Sequence, residues 1–279
     1  MIRSMSKDDA RKLFMWASSE GWNPGDCDLD CAWAADSDAF IGLYTEDVLA
    51  GGGSIFRHSA DFGFMGLFIV RPELRGAGLG KRLWHTRLEM LKARLGGDAA
   101  IGLDGVFNME DFYSRGGFKT AYRTYRFEGV APPRSRALGL EGGGASAGEL
   151  AEYDSAIVGY DRSGLLREWL EAPATHLEVI RKGGVLHGYG IVRSAARGVK
   201  IGPMLADTSE AFEALADAMF AGHPGVQFQI DIPETCGTAL EAARRWGFRE
   251  AFGCARMYSG KEPETDFSRL YSAMSLEFG

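Results

Sequence analysis

The sequence is short of cysteine, of long apolar runs and of excess positive charge. Its four cysteines form no Cys-x-x-Cys pair, and no histidine lies near enough to Cys27 and Cys31 to suggest a metal site. No apolar run reaches the roughly 18 residues that a membrane-spanning helix needs. The net charge of −7 disfavours general binding to nucleic acid. The composition therefore predicts a protein with no metal, no membrane segment and no nucleic-acid partner.

The first residues do not resemble a secretory signal peptide. Acidic residues interrupt the first segment, so we expect a cytoplasmic protein with reduced thiols. With 279 residues, of which 46% are hydrophobic and 25% charged, the chain can form one large or two ordinary domains. The sequence leaves the oligomeric state open, and a homodimer is compatible with it.

Glycine is plentiful, and three alternate glycines follow a predicted strand. Gly76, Gly78 and Gly80 lie between an apolar run at 65–70 and an amphipathic segment. Without a Cβ, the backbone there can approach a ligand closely. The loop amides and the positive end of the next helix then face one point, and Arg75 and Lys81 add positive charge. This arrangement of strand, glycine loop and helix predicts a phosphate site.

The loop spacing fits neither of two common nucleotide loops. A Walker loop needs Ser or Thr after its Gly-Lys pair, and here Gly80-Lys81 is followed by Arg82. A dinucleotide loop would carry its third glycine one residue later and would belong to the first βαβ unit. A tight turn without a ligand is the simplest alternative, but three glycines flanked by cations disfavour it.

Hydrophobic periodicity and capping signals predict an α/β order for the first half. Helices are expected at residues 6–20, 28–35, 78–95 and 109–115, and strands at 40–45, 48–57, 62–70, 99–106 and 118–128. Ser6 is the predicted cap of the first helix, and Asn108 is a candidate cap of the last.

The second half resembles a degenerate repeat of the first. Pro132-Pro133 and the glycines at 142–144 are typical of a linker. Residues 48–53 then compare with 185–190, and Gly117-Phe118 compares with Gly247-Phe248. The segment that corresponds to the glycine loop has no such glycines, so we expect no coenzyme site in the second half. Chance similarity between short glycine-rich strands is the alternative.

The Arg-Gly-x-Gly-x-Gly loop resembles the pyrophosphate loop of GNAT-family N-acetyltransferases. Residues 70–81 correspond to that family's motif A and residues 108–118 to its motif B. The whole chain is similar to bacterial tandem-GNAT proteins, in which the first half is active and the second is degenerate. The resemblance implies an α/β protein with two GNAT-like domains, at 1–130 and 148–279. Each would be a mixed, mostly antiparallel sheet flanked by helices.

The resemblance also implies an activity, transfer of acetyl from acetyl-CoA to a primary amine of a small molecule. The alternatives are another acyl donor, a protein lysine as acceptor, or a coenzyme-binding sensor without turnover. Amides of Ile69, Val70 and Arg71 would meet the pantetheine arm, and Tyr113 would act as the catalytic acid that protonates the departing thiolate. The implied coenzyme site comprises Phe68, Ile69, Val70, Arg71, Arg75, Gly76, Ala77, Gly78, Leu79, Gly80, Lys81 and Asn108.

The sequence does not identify the general base. An amine attacks a thioester only when it is neutral, so a carboxylate or an imidazole has to remove the ammonium proton. The candidates, each with a structural role as the simpler interpretation, are Asp61, Asp104, His58 and His187. Asp26, Asp28 and Asp30 form an acidic group that could attract a cationic amine or could be a solvated loop.

Overall fold

The computed structural model describes residues 1–135, 141–142, 144–173 and 175–279. Its helices are α1 (Lys7–Ser19), α2 (Asp28–Ala35), α3 (Leu79–Arg94), α4 (Glu110–Arg115), α5 (Ala147–Val158), α6 (Ser163–Glu171), α7 (Ser209–Gly222) and α8 (Gly237–Arg245). Its strands are β1 (Ile2–Ser4), β2 (Phe40–Thr45), β3 (Val48–Arg57), β4 (Phe62–Val70), β5 (Ala100–Val106), β6 (Lys119–Val130), β7 (Glu141–Gly142), β8 (Thr175–Lys182), β9 (Val185–Ser194), β10 (Val199–Ala206), β11 (Gln227–Pro233), β12 (Arg249–Ser259) and β13 (Leu270–Ser272). Part of the predicted linker, residues 136–140 and 143, lies outside the described residues.

The local predictions for the first half are confirmed, with one exception at a helix cap. The bounds of α2, β2, β3 and β4 are those predicted, and the Ser6 hydroxyl accepts the Asp9 amide at 3.2 Å to cap α1. Asn108 does not cap α4. It lies inside a 3₁₀ turn at Phe107–Met109, so Met109 takes the cap position, without a side-chain bond.

One mixed sheet runs through both halves of the chain. The strand order is β1-β2-β3-β4-β5-β12-β6-β11-β10-β9-β8-β7, and β13 pairs with β10. Only the β4–β5 and β10–β11 pairs are parallel among the described strands. Strand β12 of the second half lies between β5 and β6, and β6 of the first half lies between β12 and β11. Each half therefore completes its sheet with a strand from the other half.

Alternate strand residues face two different helical layers. Phe40 and Phe56 belong to the apolar cluster that includes α1, α2 and α6, whereas Ile41 and Ile55 belong to the cluster that includes α3. Met257 of β12 is part of the α3 cluster, so the core of the first half contains a side chain from the second. Within the described residues, none of the helices combines the length and apolarity that crossing a membrane would require.

The two parallel strand pairs open in the same way, but only one of the openings is filled by another strand. Strand β4 pairs with β5 only from Phe62 to Met65, and the two strands then diverge. Strand β10 pairs with β11 only from Val199 to Ile201. In the second half, β13 pairs with β10 beyond that point, and the Ala273 amide donates to the Asp231 carbonyl at 2.8 Å. The opening of the second half is thus filled by the chain's own last segment.

Candidate active site

A cavity of about 450 Å³ occupies the opening between β4 and β5. Strand β4 bulges at this point, because Gly66 pairs with Ser54 while Ile69 already pairs with Gly52. Leu67 lies in the bulge with φ at +51°, a conformation that side chains rarely adopt. The bulge bends β4 away from β5 and turns its backbone toward the cavity.

The three β4 amides that were expected to meet the pantetheine arm do not all face the cavity. The Arg71 amide donates to the Ala50 carbonyl of β3 at 3.0 Å. Successive amides of a strand point to opposite sides, so the Ile69 amide also faces β3, with which Ile69 pairs through Gly52. The Val70 amide faces the opening. Of the three amides predicted to meet the coenzyme, the geometry leaves that of Val70 in position to do so.

The glycine loop has the shape that an anion site requires. Gly76 and Gly78 have φ values of +85° and +76°, which favour glycine. Gly78 precedes α3 without a side-chain cap, so the first amides of α3 have no partner within the helix. Amides in this position and the positive end of the helix dipole attract a phosphate.

The structure brings most of the predicted coenzyme residues to one cavity wall. The wall contains Phe68, Ile69, Val70, Arg75, Gly76, Gly80, Lys81, Asn108 and Tyr113. Among the described residues, the predicted positions Arg71, Ala77, Gly78 and Leu79 do not line the cavity, and the Arg71 guanidinium pairs with Glu73. Arg75 donates to the Val70 carbonyl at 2.8 Å and to the Glu20 carboxylate at 2.5 Å. A phosphate on the loop would compete with Glu20 for Arg75.

Tyr113 lies in the wall at the open end of β5. Its ring covers Gly105, where a Cβ would lie 2.6 Å from a ring carbon, and it packs against Trp84 with ring centroids 4.9 Å apart. Burial raises the pKa of Tyr113 to about 12, although the nearby Arg87 guanidinium acts in the opposite direction. The phenol is therefore protonated throughout the neutral range and can donate a hydrogen bond.

Arg87 is a buried charge in the cavity lining that the sequence prediction missed. This side chain of α3 is fully buried, and its Nη2 donates to the carbonyls of Ser54 at 2.5 Å and Gly66 at 2.7 Å. No carboxylate lies within ion-pair distance of it in the part of the chain that the structure describes. Burial lowers the pKa of Arg87 to about 9. A charged residue on the apolar face of α3, between Trp84 and Leu88, was the signal for it in the sequence.

The far wall of the cavity comes from both halves. It contains Trp22 and Arg126 together with second-half residues, namely Phe252, Cys254, Leu276 and Glu277. The Arg126 guanidinium donates to both oxygens of Asp231, at 2.7 and 2.8 Å, and to the Trp22 carbonyl at 2.5 Å. These bonds fix the segment after α1 against the second half. Local sequence patterns carry no signal for this wall.

Two buried carboxylates lie in the same wall. Both oxygens of Asp104 accept hydrogen bonds from Arg256, at 2.8 and 2.7 Å. Burial raises the pKa of Asp104 even though the Arg256 charge opposes that effect. Glu277 accepts the Ser275 hydroxyl at 2.5 Å and lies 3.6 Å from the Lys200 ammonium.

The other predicted bases lie away from the cavity. The half-buried His58 ring contacts the Phe278 carbonyl at 2.6 Å, and its partial burial lowers its pKa to about 4. Asp61 is exposed, and His187 pairs with Asp207 at 3.1 Å. The acidic group near residue 28 is not a solvated loop as a whole. Asp26 and Asp30 are exposed, but Asp28 is buried, bonds Arg193 and accepts the Gly25 amide at 2.8 Å, because it joins the two halves.

Comparison with known proteins agrees with this architecture. The model of the acetyltransferase (GNAT) family matches residues 7–118, and an acetyltransferase (GNAT) domain model matches residues 150–272. Holothin acyltransferase of Pseudoalteromonas sp. (strain SANK 73390) is 30% identical over 271 residues, which are 95% of this chain and 89% of that protein. The uncharacterized N-acetyltransferase YitH of Bacillus subtilis (strain 168) is 25% identical over 223 residues, which are 77% of this chain and 76% of that one.

Solved structures show the same fold at low sequence identity. A candidate acetyltransferase from Pyrococcus horikoshii has a TM-score of 0.84 at 22% identity, covering 100% of this chain and 95% of that chain. The tandem GNAT protein from the clavulanic acid biosynthesis pathway has a TM-score of 0.62 at 12% identity, covering 93% of this chain and 98% of that chain.

The open strand pair, the glycine loop and the two matched domains define a transferase that uses an acyl-coenzyme A. The chain belongs to the GNAT acetyltransferase family and is a tandem member of it, with two GNAT domains.

Proposed function

We propose that this enzyme transfers acetyl from acetyl-CoA to a primary amine of a small molecule. The observation that carries the proposal is the continuity of the cavity, which joins the glycine loop to a wall from the second half. The phosphate end of a coenzyme and an acceptor can therefore share one space. Holding both reactants in a fixed geometry removes much of the barrier to acyl transfer.

The residues of the loop fit a coenzyme diphosphate. The free amides at the start of α3 supply hydrogen bonds, and the side chains of Arg75 and Lys81 supply charge at the loop. The Val70 amide would meet the pantetheine arm on the open side of β4. Asn108 lines the cavity near the end of β5 and would contact the same arm.

The chemistry requires a neutral amine and a stabilised leaving group. The amine nitrogen attacks the thioester carbonyl, the carbon–sulfur bond breaks, and the thiolate leaves. Tyr113 is the proposed proton donor to that sulfur, since its hydroxyl is protonated at neutral pH. Because the pKa of Tyr113 is about 12 and that of an ordinary thiol is about 8.5, we expect the hydroxyl proton to move to the sulfur only as the phenol oxygen regains a proton from the reacting nitrogen.

A small acceptor fits the cavity better than a protein lysine. Trp22, Phe252 and Leu276 line the cavity together with Tyr113, and the whole space is about 450 Å³. Acetyl, the smallest of the common acyl groups, leaves the most room for an acceptor there. The name of the similar protein Holothin acyltransferase gives holothin as what that protein acylates, so holothin is the first acceptor to test.

The experiment is a screen of holothin and a panel of primary amines with acetyl-CoA. Free thiol release and the mass of the acetylated product are measured together. A rate that depends on both substrates supports the proposal. Tight binding of coenzyme A with no thiol released against any amine would instead identify a sensor.

A comparison of two acyl donors, acetyl-CoA and acetyl-pantetheine, tests the role of the glycine loop. Lys81→Ala should weaken binding of acetyl-CoA by about tenfold, because a charge-assisted bond to phosphate is lost. The same variant should use acetyl-pantetheine, which has no diphosphate, as well as the unmodified enzyme does. If Lys81→Ala impaired the use of acetyl-CoA and of acetyl-pantetheine equally, the diphosphate would have to bind away from Lys81.

A further inference from the structure

We propose that Glu277, from the last segment of the second half, accepts the ammonium proton of the amine in the first half's active site. The proposal rests on the acyl transfer proposed above. It is based on the path of the chain after β13 and on the hydrogen-bond and ion-pair partners of the carboxylates that line the cavity.

The last segment crosses from one half to the other. It fills the second-half opening as β13 and then reaches β4 at Gly66, where a Cβ would lie only 1.9 Å from the Glu277 carbonyl oxygen. Phe278 packs on Phe14 with ring centroids 6.2 Å apart, and Arg162 donates to the Gly279 carbonyl at 3.2 Å. Glu277 is therefore held on both sides, at the point where β4 and β5 begin to diverge.

Three acidic residues line the cavity among those that the structure describes, and their partners differ. Glu20 is bound to Arg75 at the glycine loop. Asp104 has both oxygens occupied by Arg256. Glu277 has one oxygen bonded to the Ser275 hydroxyl, and its other oxygen lies 3.6 Å from Lys200, beyond hydrogen-bond distance. Glu277 thus has an oxygen with capacity for a new proton.

The charges around Glu277 suit this role. Lys200 faces it from β10, Arg126 from β6 and Asp104 from β5, while Asp231 and Arg193 flank Lys200. The Lys200 ammonium is buried and makes no hydrogen bond with the described residues. Its charge offsets that of Glu277 in a site where an isolated carboxylate would be costly. The Glu277 carboxylate is therefore available to a cationic acceptor amine.

The proton balance of the step is complete. Glu277 takes one proton from the ammonium, and the freed lone pair attacks the thioester carbonyl carbon. The carbon–sulfur bond then breaks, Tyr113 gives its hydroxyl proton to the coenzyme thiolate, and the second proton leaving the nitrogen restores the Tyr113 hydroxyl. The proton on Glu277 returns to solvent when the products leave.

The test compares Glu277→Gln with the unmodified enzyme across pH, using the best amine from the screen. Gln preserves the shape and still accepts the Ser275 hydroxyl. We expect kcat/KM to fall by about 100-fold or more at pH 7, the range of general-base catalysis. The deficit should shrink below about tenfold as the pH approaches the pKa of the amine, because solution then supplies the neutral nucleophile. Affinity for coenzyme A should not change. The matched control is Glu264→Gln at an exposed glutamate paired with Lys261, which should behave as the unmodified enzyme does.

A second variant guards against simple misfolding. Glu277→Gln leaves Lys200 buried and alone, whereas Lys200→Met with Glu277→Gln removes both charges. The double variant should bind coenzyme A normally and show the same pH-dependent deficit. A deficit that stays constant with pH, or near-normal turnover in the folded double variant, would overturn the assignment. Absence of turnover by the unmodified enzyme would instead remove the proposed function, and this role with it.

Discussion

The carbonyl oxygen of Glu277 occupies the space where a side chain on Gly66 would have to lie. The last segment of the second half is therefore packed directly on the bulged strand of the first. A residue with any side chain at this position would push the two apart.

Gly66→Ala should impair turnover and leave the binding of coenzyme A intact. Its Cβ would lie 1.9 Å from the Glu277 carbonyl oxygen, a distance that forces the last segment to move. We expect kcat to fall by about 100-fold, the effect of a misplaced catalytic group. Affinity for coenzyme A should stay within about threefold, because the glycine loop is not disturbed. Isothermal titration with coenzyme A and steady-state kinetics measure the two effects. Gly97→Ala, where a Cβ meets nothing within 4 Å, is the control.

Local chemistry explains why the glycine loop and its flanking elements were predictable. Three alternate glycines have a conformational purpose that can be inferred directly from the sequence, and the continuous apolar and glycine-rich runs of β3 and β4 define the bounds of these strands. The far wall was not predictable, because it depends on long-range pairing. Arg126 and Asp231 are 105 positions apart and meet only through the exchanged strands. Glu277 reaches Gly66 for the same reason, and no local pattern marks either contact.

Arg87→Met should destabilise the fold more than an ordinary surface change does. The variant keeps the apolar length of the side chain but leaves the carbonyls of Ser54 and Gly66 without their donor. Each buried group left unpaired costs about 1–3 kcal/mol, so for the two carbonyls we expect a loss of about 2–6 kcal/mol in the free energy of unfolding. Urea unfolding measures it, with Arg82→Met on the exposed face of α3 as the control. A loss below about 1 kcal/mol would mean that these carbonyls find other donors.

Tyr113→Phe should lower kcat by about 100-fold without changing the affinity for coenzyme A, because only the hydroxyl is lost. The ring still covers Gly105 and packs on Trp84. Stopped-flow release of thiol measures the step directly. Tyr271→Phe, at a buried tyrosine stacked on Phe212 in the second half, should leave kcat unchanged. Normal turnover in Tyr113→Phe would exclude the phenol from the mechanism.

His58 should make the fold sensitive to mild acid. Burial lowers its pKa from about 6.5 to about 4, so the folded protein favours the neutral ring. The unfolded chain then binds the proton more readily. The stability from this residue is present above pH 6.5 and is lost as the pH falls toward 4, by about 3 kcal/mol in total.

The pH dependence is measured against a matched variant. His58→Gln keeps a donor for the Phe278 carbonyl but does not titrate. Urea unfolding of both proteins at steps between pH 7 and pH 4 gives the difference in stability. We expect the unmodified protein to lose its advantage over the variant across this range. Parallel curves would show that His58 is protonated without cost, as it would be if water reached the ring.

The first half should not fold by itself. A chain ending at residue 130 lacks β12, so β5 loses a neighbour on one side and β6 loses its neighbours on both. Met257 and Ala255 also disappear from the core under α3. Exposed strand edges of this kind promote aggregation. We expect the 1–130 fragment to be insoluble or to bind no coenzyme A, and a separately produced 131–279 fragment to restore binding when the two are refolded together. Cleavage of the intact protein after residue 135 is the control, since the paired strands stay in place and activity should persist. A soluble 1–130 fragment with the full affinity for coenzyme A would show that the exchanged strand is dispensable.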